Sequence, residues 1–314
     1  MNSIPTSSTR YHAGDPHDPA TVGFSRVVVS AVLGDVVVHV HPNAAGVSDT
    51  ATLLLHGAAG SWTTWLPFIR AAHDAGQPLH NVVAVDLPGW GESGSIRDDT
   101  TVEDMVDAIA HVTTTLGFPR WNVFGHSLGG HLALSLAARY PERTRSVVGI
   151  SATGPGALAV LRHPLRHFGD VPLLAGMLGA MRLLSALDPA GTWLVPALHR
   201  IRLLGPLSSP LFARWRELDE SVINSLVTEI RSRSFVLGAH AATQYDESEW
   251  ASIECPVTLV RGERDVFVSS KDDAWFASAL PHTRQQIAAK AGHFAHIESM
   301  GVQTPAPAGS RVAP

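Results

Sequence analysis

Hydrophobic positions along the chain follow two alternating patterns. Short β-branched runs that end at turn-prone residues are separated by segments of helical length. The runs predict strands at 26–33, 35–41, 52–56, 81–86, 121–124, 146–151, 256–261 and 284–289. Helical spacing and capping residues predict helices at 101–116 and 128–140. This alternation indicates an α/β fold: a mostly parallel sheet with helices on both faces, in which the first two strands form an antiparallel hairpin.

One long segment departs from this rhythm. Residues 154–240 show no strand pattern and are rich in leucine, alanine and proline, which predicts a helical insertion, or cap. We therefore expect a core formed by 25–153 and 241–300, with an irregular arm at 1–24 and an irregular tail at 301–314. The most apolar stretch, 171–187, is too short to span a membrane, and we expect a buried or pocket-lining helix there. The start of the chain does not resemble a secretory signal, so we expect a soluble, cytoplasmic protein.

Composition narrows the classes of function. Hydrophobic residues make up 45% of the 314 positions, enough for a sizeable core, and the net charge of −5 does not favour binding to nucleic acid or to an anionic membrane. Cys255 is the single cysteine, which excludes an intramolecular disulfide and a thiolate zinc site. No metal-binding motif stands out, so we expect a small-molecule substrate, no metal and no cofactor. The charge is uneven, because 151–240 carries a net +3 and the remainder a net −8.

A candidate nucleophile lies between a predicted strand and a predicted helix. Residues 125–130 read Gly-His-Ser-Leu-Gly-Gly, a G-x-S-x-G pattern. Such a sharp strand-to-helix turn exposes the serine hydroxyl, and small residues are needed where the turn approaches its neighbours. We predict that Ser127 is a nucleophile.

A serine nucleophile needs a base, and the base needs a carboxylate to orient it. His293 lies in a turn after the last predicted strand, and His296 is expected on a helix face near it. Asp265 and Glu263 both follow the strand at 256–261, and we favour Asp265 because it lies at the far end of the turn. The resulting order, Ser127, Asp265, His293, is that of α/β-hydrolase triads.

Acyl transfer at a serine also requires N–H donors for the developing oxyanion. Leu128 follows the nucleophile and is expected to donate one N–H. Ala58, in the small-residue loop after the strand at 52–56, is the second predicted donor, with Ala59 as the alternative. Trp62 and Trp65 follow this loop and are candidates for a substrate pocket, although core packing explains them equally well. The run at 86–93 is expected to be a structural turn.

These motifs resemble those of the α/β-hydrolase superfamily, in particular capped esterases and C–C-bond hydrolases. The matching motifs are HGAAGSW at 56–62, DLPGWGES at 86–93, GHSLGG at 125–130, RGERD at 261–265 and GHFAHIE at 292–298. The resemblance implies that the insertion covers the active site and that the substrate binds between it and the core. Members of the family usually continue with a long C-terminal helix, whereas here Glu298 precedes a proline-rich tail. We hypothesise that a second subunit covers that region, making the protein a homo-oligomer.

Three functions remain open from the sequence. The first is hydrolysis of a carboxylic ester or lactone through an acyl-enzyme. The second is cleavage of a carbon–carbon bond in a vinylogous diketone, a subtype that more often has Met where this chain has Leu128, and Gly-Pro-Gly where it has Ala-Ala-Gly. The third is a ligand receptor that keeps the hydrolase fold with little turnover.

Overall fold

A computed structural model describes residues 19–41, 48–187, 208–218, 229–280 and 282–299, together with single positions at 197, 200, 222 and 226. Most of the predicted arm and all of the predicted tail lie outside the described residues.

Eight strands form one sheet. They are β1 Ser25–Ala31, β2 Gly34–His41, β3 Thr50–Leu55, β4 Val82–Val85, β5 Arg120–His126, β6 Thr144–Ile150, β7 Val257–Gly262 and β8 Arg284–Ala288. Their order across the sheet is β1-β2-β4-β3-β5-β6-β7-β8. The β1/β2 and β2/β4 pairs are antiparallel, and every other pair is parallel. The predicted fold class is therefore confirmed, since each predicted strand is present with ends that differ by at most two residues.

Eight α-helices lie within the described residues. They are α1 Leu66–Asp74, α2 Val102–Thr115, α3 Leu128–Arg139, α4 Pro155–Arg162, α5 Pro172–Ala186, α6 Ser232–Gln244, α7 Ser270–Ala279 and α8 Ala295–Glu298. Thr101 caps the N-terminus of α2 and exchanges hydrogen bonds with Asp104. Ser269 and Asp272 begin α7 in the same way. The sequence patterns did not reveal α1 and α7 as helices.

The strands bury both of their faces. Leu53 and Leu55 point into a core shared with α2 and α3, whereas Leu54 points into a second core that contains Trp65 and Phe68. This division follows from the period of two along a strand. Because both faces are covered, the carboxyl ends of the parallel strands form one of the few places in the core where a ligand can enter.

The segment between β6 and β7 contains α4, α5 and α6, and we refer to 154–240 as the insertion. Its first helix is fixed to the core because the buried carboxylate of Asp272 accepts the N–H of Gly156 at 2.7 Å. The helix α5 is only partly buried: Leu174 and Leu178 are covered, but Leu183 is 61% exposed. None of the described helices is both long and apolar enough to cross a membrane.

β8 is an edge strand of the described sheet. Its burial pattern is mostly exposed, and the side chain of Ile287 is 62% exposed. The homo-oligomer expected from this region stays a prediction.

Candidate active site

The turn between β5 and α3 holds Ser127 in a rare backbone conformation. Its φ is 52° and its ψ is −115°, a region that residues with a side chain seldom adopt. Two backbone hydrogen bonds support this conformation: Ser127 N–H donates to Ile150 O at 3.0 Å, and Thr153 N–H donates to Ser127 O at 3.0 Å. The end of β6 therefore helps to hold the serine at the carboxyl edge of the sheet.

Glycines at this turn are sterically required. A Cβ on Gly125 would lie 2.2 Å from Gly129 O, and a Cβ on Gly129 would lie 2.2 Å from Leu55 O. A Cβ on Gly130 would lie 2.7 Å from the Cβ of Ala152. Real Cβ atoms essentially never approach so closely, so the strand-to-helix turn can pack in this way only with glycine at these positions.

Asp265 and His293 meet beside this turn. His293 Nδ1 lies 3.0 Å from Asp265 Oδ1, and both side chains are almost fully buried. Burial alone would raise the pKa of Asp265, but the charge and hydrogen bond of His293 and the N–H of Phe267 hold it below its ordinary value. An ionised carboxylate in this position accepts the Nδ1 proton, which leaves Nε2 able to accept a proton. The rival Glu263 lies elsewhere, accepting the N–H of Lys290 at 2.9 Å.

Ser127 and His293 line the same cavity. Within the described residues, no hydrogen bond joins the Ser127 hydroxyl to the imidazole of His293. Such bonds are often long in ligand-free sites and shorten when substrate binds.

Two further histidines pack behind His293. His126 Nε2 donates to His293 O at 3.0 Å, and the ring centroids of His126 and His296 are 4.5 Å apart. Burial, together with the neighbouring imidazoles, lowers the pKa of His126 well below its ordinary value and that of His296 to about 3. Both rings are therefore neutral near pH 7, which leaves His293 as the histidine of this group paired with a carboxylate. His296 occupies α8, as expected from the sequence.

The loop after β3 supplies backbone N–H groups to the cavity. Ala58, Ala59 and Leu128 all line it. The N–H of Ala58 has no acceptor among the described residues, and the N–H of Leu128 is the first of α3 and lies outside the helical hydrogen-bond ladder. Free donors at this position could bind an oxyanion.

Buried polar groups fix the shape of this loop. His56 Nδ1 donates to Gly57 O at 2.8 Å, while its Nε2 accepts the N–H of Leu87 at 3.0 Å. Asp86 accepts the N–H groups of Trp62 and Glu92 at 3.0 and 3.1 Å. Residues 86–93 therefore form a structural turn, as expected, and brace the loop that carries Ala58.

The cavity has two sides of different character. The core contributes its polar groups, including His126, Ser127, Thr153 and His293. The insertion and the end of α6 contribute apolar side chains. Those that belong to α4, α5 and α6 are Ala157, Leu161, Leu174, Met177, Phe235, Ala239 and Ala242. No arginine, lysine, aspartate or glutamate is among the described residues that line it.

The predicted pocket role of two tryptophans is not supported. Trp62 stacks on His39 with ring centroids 4.1 Å apart, and Trp65 packs against Phe68 and His296 in the second core. Neither lines the cavity. The loop after β3 turns these side chains toward the opposite face of the sheet, which proximity in the sequence could not reveal.

Sequence reasoning missed most of the residues that shape the cavity. His126 belongs to the motif at 125–130, but the chain has 17 histidines, so the presence of a histidine at this position did not indicate a role in the site. The apolar residues of the insertion had no positional signal, because their contacts depend on how α4, α5 and α6 pack. Glu298 was part of a recognised motif, yet nothing in the sequence indicated what its carboxylate contacts.

The sequence comparison and the strand order indicate the same fold class. Residues 51–175 match the family model described as the alpha/beta hydrolase fold. The strand order, the serine turn after β5 and the histidine turn after β8 agree with that class. The chain therefore has the alpha/beta hydrolase fold.

Two curated relatives share one name. A protein of Paraburkholderia phymatum, named 2-hydroxy-6-oxononadienedioate/2-hydroxy-6-oxononatrienedioate hydrolase, is 26% identical over 86% of this chain and 90% of its own length. A protein of the same name from Burkholderia vietnamiensis is 38% identical over 110 residues, which cover 35% of this chain and 38% of that protein.

Solved structures support the fold. A thermophilic esterase from Thermogutta terrifontis superimposes with a TM-score of 0.63 at 19% identity, over 87% of this chain and 93% of the other.

Proposed function

We propose that this chain hydrolyses a carbon–carbon bond in a 2-hydroxy-6-oxo dienoic acid, using Ser127 as nucleophile. The observation that carries the proposal is the similarity to relatives of that name along 86% and 90% of the chain. The sequence alone favoured an ester or lactone, and the relatives favour the second of its three candidates.

The first half of the proposed reaction uses the paired histidine. His293, oriented by Asp265 at 3.0 Å, removes the Ser127 proton as the hydroxyl oxygen adds to the substrate ketone. The carbonyl oxygen becomes negative and is bound by the N–H groups of Ala58 and Leu128. The dipole of α3, which begins beside Ser127, favours the same charge.

The second half breaks the carbon–carbon bond. The bonding electrons leave with the dienoic acid fragment, which gains a proton from His293, and the ketone carbon stays on Ser127 as an ester. Water, deprotonated by His293, then releases a carboxylic acid and regenerates the serine. A carbon leaving group is basic, so the proton of the substrate 2-hydroxyl must first move to the carbon next to the ketone. From this keto tautomer the bonding electrons spread over the conjugated 2-oxo acid end, and the proton from His293 restores the 2-hydroxyl. An ester would follow the same steps with an alcohol as leaving group.

The acid end of such a substrate needs a place outside the uncharged cavity. A neighbouring cleft shares Leu161 and Ala239 with the cavity as common wall residues. Arg162 and Arg182 line this cleft, and Arg162 is already paired with Glu247 at 2.8 Å. We therefore place the substrate carboxylate near Arg182, which agrees with the net positive charge of 151–240.

Hydrolysis of an ester or lactone is the second candidate. Leu128 after the nucleophile and the Ala58-Ala59-Gly60 run favour it, because both depart from the pattern typical of C–C-bond hydrolases. The uncharged lining of the cavity also suits a neutral ester.

Turnover of matched substrates separates the two candidates. Purified protein is given a 2-hydroxy-6-oxo dienoic acid, followed by loss of its dienol absorbance, and a panel of neutral esters and lactones. We expect the larger kcat/KM for the dienoic acid, with activity lost in Ser127→Ala and kept in Ser248→Ala, whose side chain is exposed. Turnover of esters alone would establish the second candidate. A stable covalent adduct without turnover would contradict both and indicate a receptor.

A further inference from the structure

Glu298 is a buried carboxylate that the proposed reaction does not use. It lies at the end of α8 and is only 4% exposed. Its oxygens accept three backbone N–H groups: Oε2 from Gly292 at 2.6 Å and Ala213 at 3.1 Å, and Oε1 from Arg214 at 2.6 Å. The Arg214 guanidinium donates to the backbone carbonyl of Glu298.

The three donors belong to two distant parts of the chain. Gly292 immediately precedes His293, whereas Ala213 and Arg214 lie in the insertion, about eighty residues earlier in the sequence. A carboxylate with three N–H donors is strongly held, because charge-assisted hydrogen bonds are shorter and stronger than neutral ones. The carboxylate therefore joins the turn that carries His293 to the insertion.

Two other contacts join the same segments. His293 N–H donates to Leu211 O at 2.8 Å. The rings of Phe212 and Phe294 stack with centroids 4.9 Å apart. A Cβ on Gly292 would lie 2.5 Å from Leu211 O, so the two backbones approach as closely as glycine allows.

From this arrangement we infer that Glu298 is a positioning residue for His293. It holds the histidine turn and residues 211–214 as one unit, so that the imidazole is aligned with Asp265 and Ser127 only while this part of the insertion is docked. Leu211 also lines the cavity, so the segment that contacts substrate also supports the base. This inference rests on the proposed function, in which His293 is the base.

The carboxylate is specifically required for this role. The two carboxylate oxygens accept from three donors, whereas glutamine offers one oxygen and an NH₂ group that would face an N–H. Glu298→Gln therefore keeps the volume of the side chain but loses at least one of the three bonds. Glu263→Gln is a matched control. Glu263 also accepts a backbone N–H of the same turn, from Lys290, but it is exposed and forms no hydrogen bond or ion pair with the described part of the insertion.

The test compares kinetics of the two variants on the best substrate. For Glu298→Gln we expect kcat to fall about 10- to 100-fold, because a displacement of about 1 Å at a catalytic group costs that much. The KM should change less than about threefold, and the acidic limb of the kcat/KM pH profile, which reports the base, should move. Glu263→Gln should match the wild type in all three. The number of functional sites is counted by complete labelling with a fluorophosphonate, so that kcat refers to folded protein.

Phe212→Ala alters the insertion side of the same unit, because it removes the ring that stacks on Phe294, and it leaves Glu298 intact. We expect the same combination of a lower kcat, a nearly constant KM and a shifted pH profile, with the double variant losing less than the product of the two single effects. A wild-type pH profile and kcat per labelled site in both single variants would overturn the inference. Activity that survives Ser127→Ala would instead overturn the proposed function.

Discussion

The two sides of the cavity are built by different physical means. On the core side, Ser127, Asp265 and His293 are held by backbone hydrogen bonds, a positive φ and close glycine contacts at the ends of β5, β7 and β8. On the insertion side, Leu174, Met177 and similar side chains are held by the packing of apolar helix surfaces. Several directional bonds together fix the geometry of the polar side, whereas the side chains of the apolar side can repack with a modest loss of stability.

This difference indicates that the two sides of the cavity have different tasks. Nucleophilic attack by a serine tolerates displacements of the catalytic atoms of only a fraction of an ångström. Directional hydrogen bonds can hold side chains within that limit. Selection among substrates requires shape, which apolar side chains provide. Changes on the core side should therefore affect every substrate alike, and changes on the insertion side should affect some substrates more than others.

The largest effect is expected at Asp265. Asp265→Asn removes the carboxylate that orients His293, and kcat should fall about 10⁴-fold, as for other triads that lose this charge. The loss should be equal for a large and a small substrate, measured by steady-state kinetics. Glu263→Gln, which alters a carboxylate in the same strand-to-helix loop, should lose little. A loss that depends on substrate size would contradict the contrast between the two sides.

The second largest effect is expected from acid, which should lower the free energy of unfolding through two buried histidines of the core. Burial lowers the pKa of His131 to about 4 and, with the nearby His293 charge, that of His296 to about 3. Unfolded histidines bind protons below about pH 6.5 while these two stay neutral, so the free energy of unfolding falls as pH decreases. Between pH 6.5 and 5 we expect a loss of about 2 kcal/mol for each of the two, measured by urea unfolding.

A variant can assign part of this pH dependence. His131→Leu should remove about one proton from the slope between pH 6.5 and 5, whereas His73→Leu, on an exposed side chain, should leave the slope unchanged. Equal slopes in the wild type and both variants would show that His131 does not stay neutral in the native state.

A smaller and selective effect is expected at Met177. Met177→Ala enlarges the insertion side of the cavity, and the ratio of kcat/KM for a bulky and a small substrate should change about 10- to 200-fold, the range for one contact in an apolar pocket. The fluorophosphonate labelling rate of Ser127 should stay near that of the wild type. Leu183→Ala, on the exposed face of the same helix, is the control. A uniform change for all substrates would contradict the contrast.

The smallest effect is expected at Arg182. Its charge is exposed and screened, so Arg182→Gln should lower kcat/KM for an acidic substrate by about 1 kcal/mol or less, roughly fivefold at low salt. The difference should vanish at high salt and be absent for a neutral ester. Arg145→Gln makes the same charge change on β6, outside the cleft. Salt-independent rates for the acidic substrate would remove Arg182 from its recognition.

Sequence patterns anticipated the fold because each signal was local. Short β-branched runs predicted every strand within two residues, and Thr101 with its neighbours predicted α2. The sequence patterns did not predict two helices, for different reasons. The helix α1 begins inside a glycine- and tryptophan-rich loop. The helix α7 has little apolar periodicity, because Asp272 is buried and bonded to Gly156.

The candidate site divides in the same way. Motif order alone brought Ser127, Asp265 and His293 to the carboxyl edge of a parallel sheet, because the ends of parallel strands meet there whatever the intervening chain does. The roles predicted for these residues stay predictions, although Asp265 rather than Glu263 is the carboxylate that meets His293.

Only the tertiary structure decided the surroundings of that triad. It placed Trp62 and Trp65 in the core, assigned the apolar wall to α4, α5 and α6, and joined Glu298 to residues 213 and 214. Turns and strand ends follow from a few neighbouring residues, whose backbone preferences the sequence states directly. Contacts between segments eighty residues apart depend on how whole helices pack, and no local pattern encodes that arrangement.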